Sequence, residues 1–195
     1  MNSKRKPISL FFATGNVHKV EEVKLILKDY PVTIEQVDAK CLEIQADEVE
    51  EIAKTSAIYA TQERWTPVFV EDTGLFIEAL KGFPGPYASY VYKTIGRKGV
   101  LKLLNGIANR KAEFKSAIAF CIPKEQPVCF LGTVSGRISM EERGVHGFGY
   151  DPIFEPDSGG GKTFAEMTID EKNRYSHRAQ GVRKFADWYL ERFTI

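Results

Sequence analysis

Ile8 to Ala13 is a short continuous apolar run that stops at Gly15 and Asn16, the pattern of a buried strand followed by a turn. Val20, Val23, Leu27 and Tyr30 then recur at helical spacing, while Lys19, Glu21, Glu22, Lys24 and Lys28 fall mostly elsewhere. Asn16 suits the N-cap of that helix and Pro31 closes it. Val32 to Val37 reads as a second strand. A second helix is predicted over 49–64, with Ile52, Ala53, Ser56, Ala57 and Ala60 making a small-residue face for close packing. The apolar run Pro67 to Val70 predicts a third strand, ending at Glu71-Asp72-Thr73-Gly74-Leu75. Two prolines and two glycines make Gly82 to Tyr87 a constrained loop. A short helix is expected over 94–105. Alternation from Lys111 to Ile122 and a β-rich stretch from Val128 to Ile138, joined by Pro123 to Pro127, predict a hairpin. A last helix over about 174–193 buries Val182, Phe185, Tyr189 and Phe193. Strands and helices alternate early and a hairpin follows, which predicts an α/β fold with a mixed β-sheet flanked by helices. No repeat or long linker divides the chain, so residues 1–195 are expected to form one domain.

Composition narrows this little. A chain of 195 residues with 43% hydrophobic and 27% charged positions is an ordinary globular sequence, not a disordered or fibrous one. Twenty-seven basic against 26 acidic residues leave a net charge of +1, without the basic excess of a nucleic-acid scaffold. Lys172, Arg174, Arg178, Arg183 and Lys184 nevertheless crowd the last quarter. Cys41, Cys121 and Cys129 show no Cys-x-x-Cys spacing, and an odd count argues against a disulfide framework and for a reducing compartment. No apolar run approaches the ~18–20 residues needed to cross a bilayer. Lys4-Arg5-Lys6 before Ile8 to Ala13 lacks a cleavage site. The expectation is a cytoplasmic protein with no membrane or nucleic-acid partner.

Several segments carry candidate chemistry, each beside a plainer alternative. Thr14-Gly15-Asn16-Val17-His18-Lys19 joins the first strand to the first helix, where backbone N–H groups and the helix dipole favour an anion; a capped turn is the alternative. A carboxylate in Glu71-Asp72 can hold Mg²⁺ or orient a water, yet Asp-Thr-Gly is also common turn chemistry. If the strand is regular, the two acids point to opposite faces and only one need serve a site. Glu43, near Gln45, Asp47 and Glu48, is a candidate second metal ligand or simply part of a solvated acidic loop. His146-Gly147-Phe148-Gly149-Tyr150-Asp151-Pro152 can stack on a nucleobase or merely cover the core. Lys172 and Ser176-His177-Arg178 open the last helix, where cations are unfavourable, which hints at a ligand. Gly159-Gly160-Gly161-Lys162-Thr163 ends like a phosphate-binding loop, but the required first glycine is Pro156 and only 32 residues follow Thr163. The three histidines, His18, His146 and His177, are too scattered for a zinc site.

In order along the chain, these segments resemble the inosine triphosphate pyrophosphatase family, the Ham1-like enzymes. The resemblance rests on Thr14-Gly15-Asn16-x-x-Lys19, Glu71 to Leu75, Gly82 to Tyr87 and Phe148-Gly149-Tyr150-Asp151-Pro152. It continues through Phe164-Ala165-Glu166-Met167, Lys172 and Ser176-His177-Arg178. It implies a twisted mixed sheet with two lobes around a central nucleotide-binding cleft. It further implies Mg²⁺-dependent hydrolysis of noncanonical purine nucleoside triphosphates (ITP, dITP, XTP) to the monophosphate and pyrophosphate, by a homodimer. On the same resemblance Thr14 to Lys19 would cradle the phosphates and Glu43 with Asp72 would hold Mg²⁺. Asp72 would also activate water, and Thr73 would touch the triphosphate. Phe148, Gly149, Tyr150 and Asp151 would hold the base, Lys172 would reach the nucleotide, and His177 with Arg178 would read the 6-oxo edge. The chain departs from the family at Ser56, where many members carry a lysine, so one phosphate contact is missing or supplied by Lys54. Ser158 to Gly161 looks like a local insertion. Two other readings stay open: a P-loop NTPase or kinase using Gly161-Lys162-Thr163, and a non-enzymatic nucleotide- or RNA-binding module.

Overall fold

The structure is a computed structural model that describes residues 8–39, 42 and 44–193. Strand β1 (Ile8–Ala13) is followed by helix α1 (Val17–Ile26), β2 (Val32–Val37), α2 (Val49–Arg64) and β3 (Val68–Ile77). A short β4 (Pro84–Gly85) precedes α3 (Ala88–Thr94), α4 (Gly96–Leu103) and the hairpin β5 (Lys111–Cys121) and β6 (Val128–Ile138). Then come β7 (Phe154–Pro156), α5 (Ile169–Lys172) and α6 (His177–Phe193). Among the described residues the strands form one seven-stranded mixed sheet in the order β2-β1-β3-β5-β6-β7, with β4 on β3. The β1 pairings to β2 and β3 are parallel and the rest antiparallel.

The sheet opens where β1 stops. Phe12 pairs with Phe69 in parallel, so β1 ends beside Val70, whereas β3 runs on to Ile77. On that side β4 next meets β3 at Leu75 and Phe76. Among the described residues no strand pairs with Glu71 to Gly74 there, and this stretch of open strand edge is the floor of a cleft. Three buried clusters surround it. Phe12, Phe69 and Ile118 pack under α1 and α6; Val68, Val70 and Ala117 pack under the alanine face of α2. Leu75, Ile77 and Phe114 pack with α3, α4 and the segments around Phe154 and Phe164 as a second lobe. β3 and β5 run through both lobes.

Three sequence expectations change. Glu71 to Gly74 is not a turn after a strand but the middle of one, because β5 pairs with β3 over its whole length, from Val68 opposite Cys121 to Ile77 opposite Ala112. The helix expected over 94–105 is α4, Gly96–Leu103, and α3, Ala88–Thr94, which the sequence pattern does not predict, precedes it; the two meet at Gly96, whose φ of +63° suits glycine and reorients the chain. The last helix begins at His177, where the Ser176 hydroxyl accepts from the Ala179 N–H, and not at 174. The strands of the hairpin and the limits of α2 agree with the pattern read from the sequence.

Candidate active site

Side chains alternate along β3, so its two acids face opposite ways. Glu71 and Thr73 share the α1/α6 face with Phe69; Asp72 shares the α2 face with Val70 and Phe76. The two faces carry different chemistry.

On the α1/α6 face lies a buried chain of ion pairs. Lys19 Nζ is 2.6 Å from Glu71 Oε2 and donates to the Glu71 carbonyl at 3.0 Å, at the open edge of β3. Glu71 also accepts from Ser116 Oγ at 2.6 Å, from Thr73 Oγ1, and from Arg178 Nε at 3.2 Å. Arg178 Nη1 donates to Glu22 Oε2 at 2.5 Å, and Glu22 Oε1 accepts from Lys172 Nζ at 2.7 Å. Lys172 ends the chain at Asp151 Oδ2, 2.7 Å away. Three cations thus meet three carboxylates. Burial alone would raise the Glu22 carboxyl, but Arg178 and Lys172 outweigh it and hold it down to about 2. Glu71 is pulled below the usual carboxylate range in the same way, by Arg178 and Lys19 against its burial. Arg178 is correspondingly raised: burial opposes its charge, and Glu71 and Glu22 overcome that.

Phe148 lies against this chain. Its ring centroid is 5.2 Å from Lys172 Nζ, 5.4 Å from the Arg178 guanidinium carbon and 5.4 Å from the His18 ring, which stacks on it at 20°. The loop that presents Phe148 is held by Asp151, whose Oδ2 also accepts from the Phe148 N–H at 2.8 Å. Gly147, at φ +72°, admits no side chain, since a Cβ there would meet Asp151 Oδ2 at 2.0 Å. Arg97 reaches from α4 to the Gly149 carbonyl at 3.0 Å.

The β1–α1 junction is built as the sequence predicts. The Asn16 side chain accepts from the His18 and Lys19 N–H groups at 3.0 and 3.3 Å. Thr14 Oγ1 accepts from the Asn16 N–H at 3.2 Å. A Cβ on Gly15 would meet nothing within 4 Å, so packing does not require glycine there; the space before it is open. Val17 points to solvent.

Not every candidate side chain reaches the cleft. Tyr150 is buried in the second lobe, its hydroxyl donating to the Ala88 carbonyl at 3.0 Å, so this loop offers a ligand Phe148 and backbone rather than two aromatic rings. His177 is also buried and stacks on Phe114 at 4.6 Å. Burial, with Arg178 and Lys172 close by, pushes its pKa well down, so the ring is neutral. Glu43 and Cys41 lie outside the described residues. Ser56, where the resemblance implies a lysine in many members, is buried and donates to the Leu42 carbonyl at 3.1 Å. Lys54 is exposed and its charge acts on Cys129 of β6. The glycine stretch 158–161 is an ordered turn whose Gly161 carbonyl accepts from Arg143 at 2.8 Å.

Glu22 and Ser116 are the residues that sequence reasoning missed, and Glu71 it weighed only with Asp72 as a ligand for a metal or a water, not as the partner of Arg178. Glu22 looks like a solvated helix position and Ser116 like a strand filler. The available signal was the excess of cations at the start of α6: buried cations need buried carboxylates.

The α2 face offers different groups. Asp72 is half-buried there, and at the N-terminal end of α2 Gln45, Asp47, Glu48, Glu51 and Tyr87 line a cavity of about 560 Å³. Oxygen donors of this kind suit a hard divalent cation. Among the described residues no cluster of three or more His, Cys, Asp or Glu could cage one.

The profile of the Ham1 family matches residues 10–188. A dITP/XTP pyrophosphatase of Methanopyrus kandleri is 52% identical over 182 residues, covering 93% of this chain and 96% of the relative. One from Methanothermobacter marburgensis is 48% identical over 184 residues, 94% of this chain and 97% of its own. Among solved structures, the Staphylococcus aureus Ham1 protein superposes with a TM-score of 0.81 at 27% identity, covering 94% of this chain and 99% of that one.

Proposed function

The chain belongs to the Ham1 family, and from that premise we propose that it hydrolyses noncanonical purine nucleoside triphosphates (ITP, dITP and XTP) to the monophosphate and pyrophosphate. One observation carries the reading: two buried cations, Lys172 and Arg178, converge on the ring of Phe148 beside the anion-ready start of α1, whose His18 stacks on the same ring. A purine stacks on Phe148 with its 6-oxo edge toward Arg178. That guanidinium carries five N–H donors, and its bonds to Glu71, Glu22 and Thr73 leave hydrogens for O6. A 6-amino group cannot accept them, so adenine is refused; sites that hydrogen-bond their substrate discriminate by orders of magnitude.

The phosphates then run along the open edge of β3 toward Thr14 to Lys19, with Thr73 beside them. Asp72, on the opposite face, takes a proton from the water that attacks the α–β anhydride. Asp72 and Glu43 would hold Mg²⁺, which when bound neutralises phosphate charge and acidifies a water. Neither a serine nor a cysteine nucleophile is needed. Two copies would pair through the α3 face, where Tyr90 is 70% exposed with Tyr87, Tyr92 and Ile95 near it. Work on the nucleotide pool belongs to the cytoplasm, and no described helix is long and apolar enough to cross a membrane.

Product identification tests the reading. With ITP and Mg²⁺ the protein should release IMP and pyrophosphate. IDP with orthophosphate would point to a P-loop-type NTPase, and no turnover to a binding module.

A further inference from the structure

A triphosphate brings about four negative charges to a cleft whose α1/α6-face cations are already matched. Lys19, Arg178 and Lys172 are balanced by Glu71, Glu22 and Asp151 at short range and mostly out of solvent. Mg²⁺ would offset part of the phosphate charge, and Lys115 is placed to offset more. In the β3–β5 register Asp72 faces Ala117 and Gly74 faces Lys115, so Lys115 sits one step along the neighbouring strand, on the same face as Asp72. Diagonal neighbours of this kind are roughly 7–8 Å apart, within reach of a long side chain.

The residue opposite Lys115 cannot be larger than glycine. A Cβ on Gly74 would meet Phe76 Cε2 at 2.6 Å and the Gly85 carbonyl at 2.9 Å. The Phe76 ring therefore closes over Gly74, and Lys115 Nζ rests 4.6 Å from its centroid. The ammonium is thus held away from the core, toward Glu48. Its carboxylate partner Glu48 is 3.6 Å away and 55% exposed, a lining residue of the cavity of about 560 Å³. So long an ion pair to an exposed carboxylate contributes little and is readily exchanged. Phosphate is the better partner, since charge-assisted bonds to it are shorter and stronger.

We propose that Lys115 leaves Glu48 and binds the pyrophosphate end of the substrate on the Asp72 face, a specificity contact for the leaving group rather than for the base. This rests on the pyrophosphatase reading above. The test uses the full-length protein with Lys115→Gln and Lys115→Arg, and pyrophosphate and IMP as separate inhibitors of ITP hydrolysis. For Lys115→Gln the inhibition constant of pyrophosphate and the KM for ITP should rise roughly tenfold to a hundredfold. Inhibition by IMP should not change, and Lys115→Arg should restore most of the loss. Unchanged pyrophosphate inhibition overturns the proposal. So does an equal weakening of IMP, which marks a structural role. Should the wild type release no pyrophosphate from ITP, the pyrophosphatase reading fails by itself. Calorimetric titration of Mg²⁺-pyrophosphate into wild type and Lys115→Gln then still decides the assignment of Lys115: tighter binding to the wild type supports it, equal binding overturns it.

Discussion

Arg178 is bound on both sides by carboxylates, Glu22 and Glu71, and this fixes what its removal should do. Arg178→Ala leaves two buried carboxylates facing one another, a loss of about 3–5 kcal/mol in stability, and it removes the donor to a purine O6. We expect the preference for ITP over ATP to collapse in this variant. Arg178→Lys, which keeps the charge but loses the planar fork, should retain the fold and still lose much of that preference. Competition kinetics with the two nucleotides checks both. Asp72 sits apart from this chain, on the α2 face. Asp72→Asn is therefore expected to melt within a few degrees of the wild type while kcat falls at least about a hundredfold, the usual contribution of a general base. Near-normal turnover in Asp72→Asn would sink its assigned role. The opposed faces of Glu71 and Asp72 follow from period-2 alternation and were legible in the sequence. Which face carried which task was not, because the partners of Glu71 come from α1, β5 and α6, 45 to 107 residues away.

At the scale of elements, the placement of α6 is decided by glycine. A Cβ on Gly132 of β6 would meet the His177 carbonyl at 2.0 Å and the Gly181 N–H at 2.5 Å, so the first turn of α6 lies directly on the strand. That contact sets the depth of His177 and Arg178. Gly132→Ala should push the helix start outward, costing about 1–3 kcal/mol as an overpacked contact does, and lowering kcat/KM for ITP together with Tm. Gly15→Ala meets open space and should leave Tm unchanged. Circular-dichroism melts of the two variants make the comparison. Most elements were readable from periodicity: β1, β2, α2 and the hairpin strands follow their apolar patterns closely. The failures have local causes. The Glu71 to Gly74 stretch looks like a turn by composition, but pairing with β5 overrides it, and α3, at seven residues, is too short to show an apolar period.

For the molecule as a whole, the buried charges set the response to acid. Glu22 is held down to about 2 from an ordinary 4.5, so its contribution is complete above about pH 4.5 and is lost as pH falls toward 2. Protonating it removes on the order of 3 kcal/mol, roughly 10 °C of Tm for a chain this size. His177 adds to the loss at higher pH. Unfolded, its imidazole takes a proton as pH drops below 6.5; folded and buried, it does not, so the unfolded state binds more protons and stability declines. A plot of Tm against pH should thus bend downward below about 6.5 and steepen below about 4.5. His177→Gln should flatten the first limb and Glu22→Gln the second. A single curve unaffected by either change would refute this account of the buried network.

The sequence alone determined most of the longer strands and helices, the family resemblance and the near-zero charge balance, because each depends on residues close together or merely counted. The pairing of opposite charges was decided only in three dimensions. Lys19, Glu22, Glu71, Asp151, Lys172 and Arg178 come from five separate places in the chain, and only the packing of α1, α5 and α6 against the face of β3 makes them one buried network. A lone charged residue in a sequence carries no sign of burial. Its cost in a low-dielectric interior, and the partners that offset it, exist only once the chain has folded.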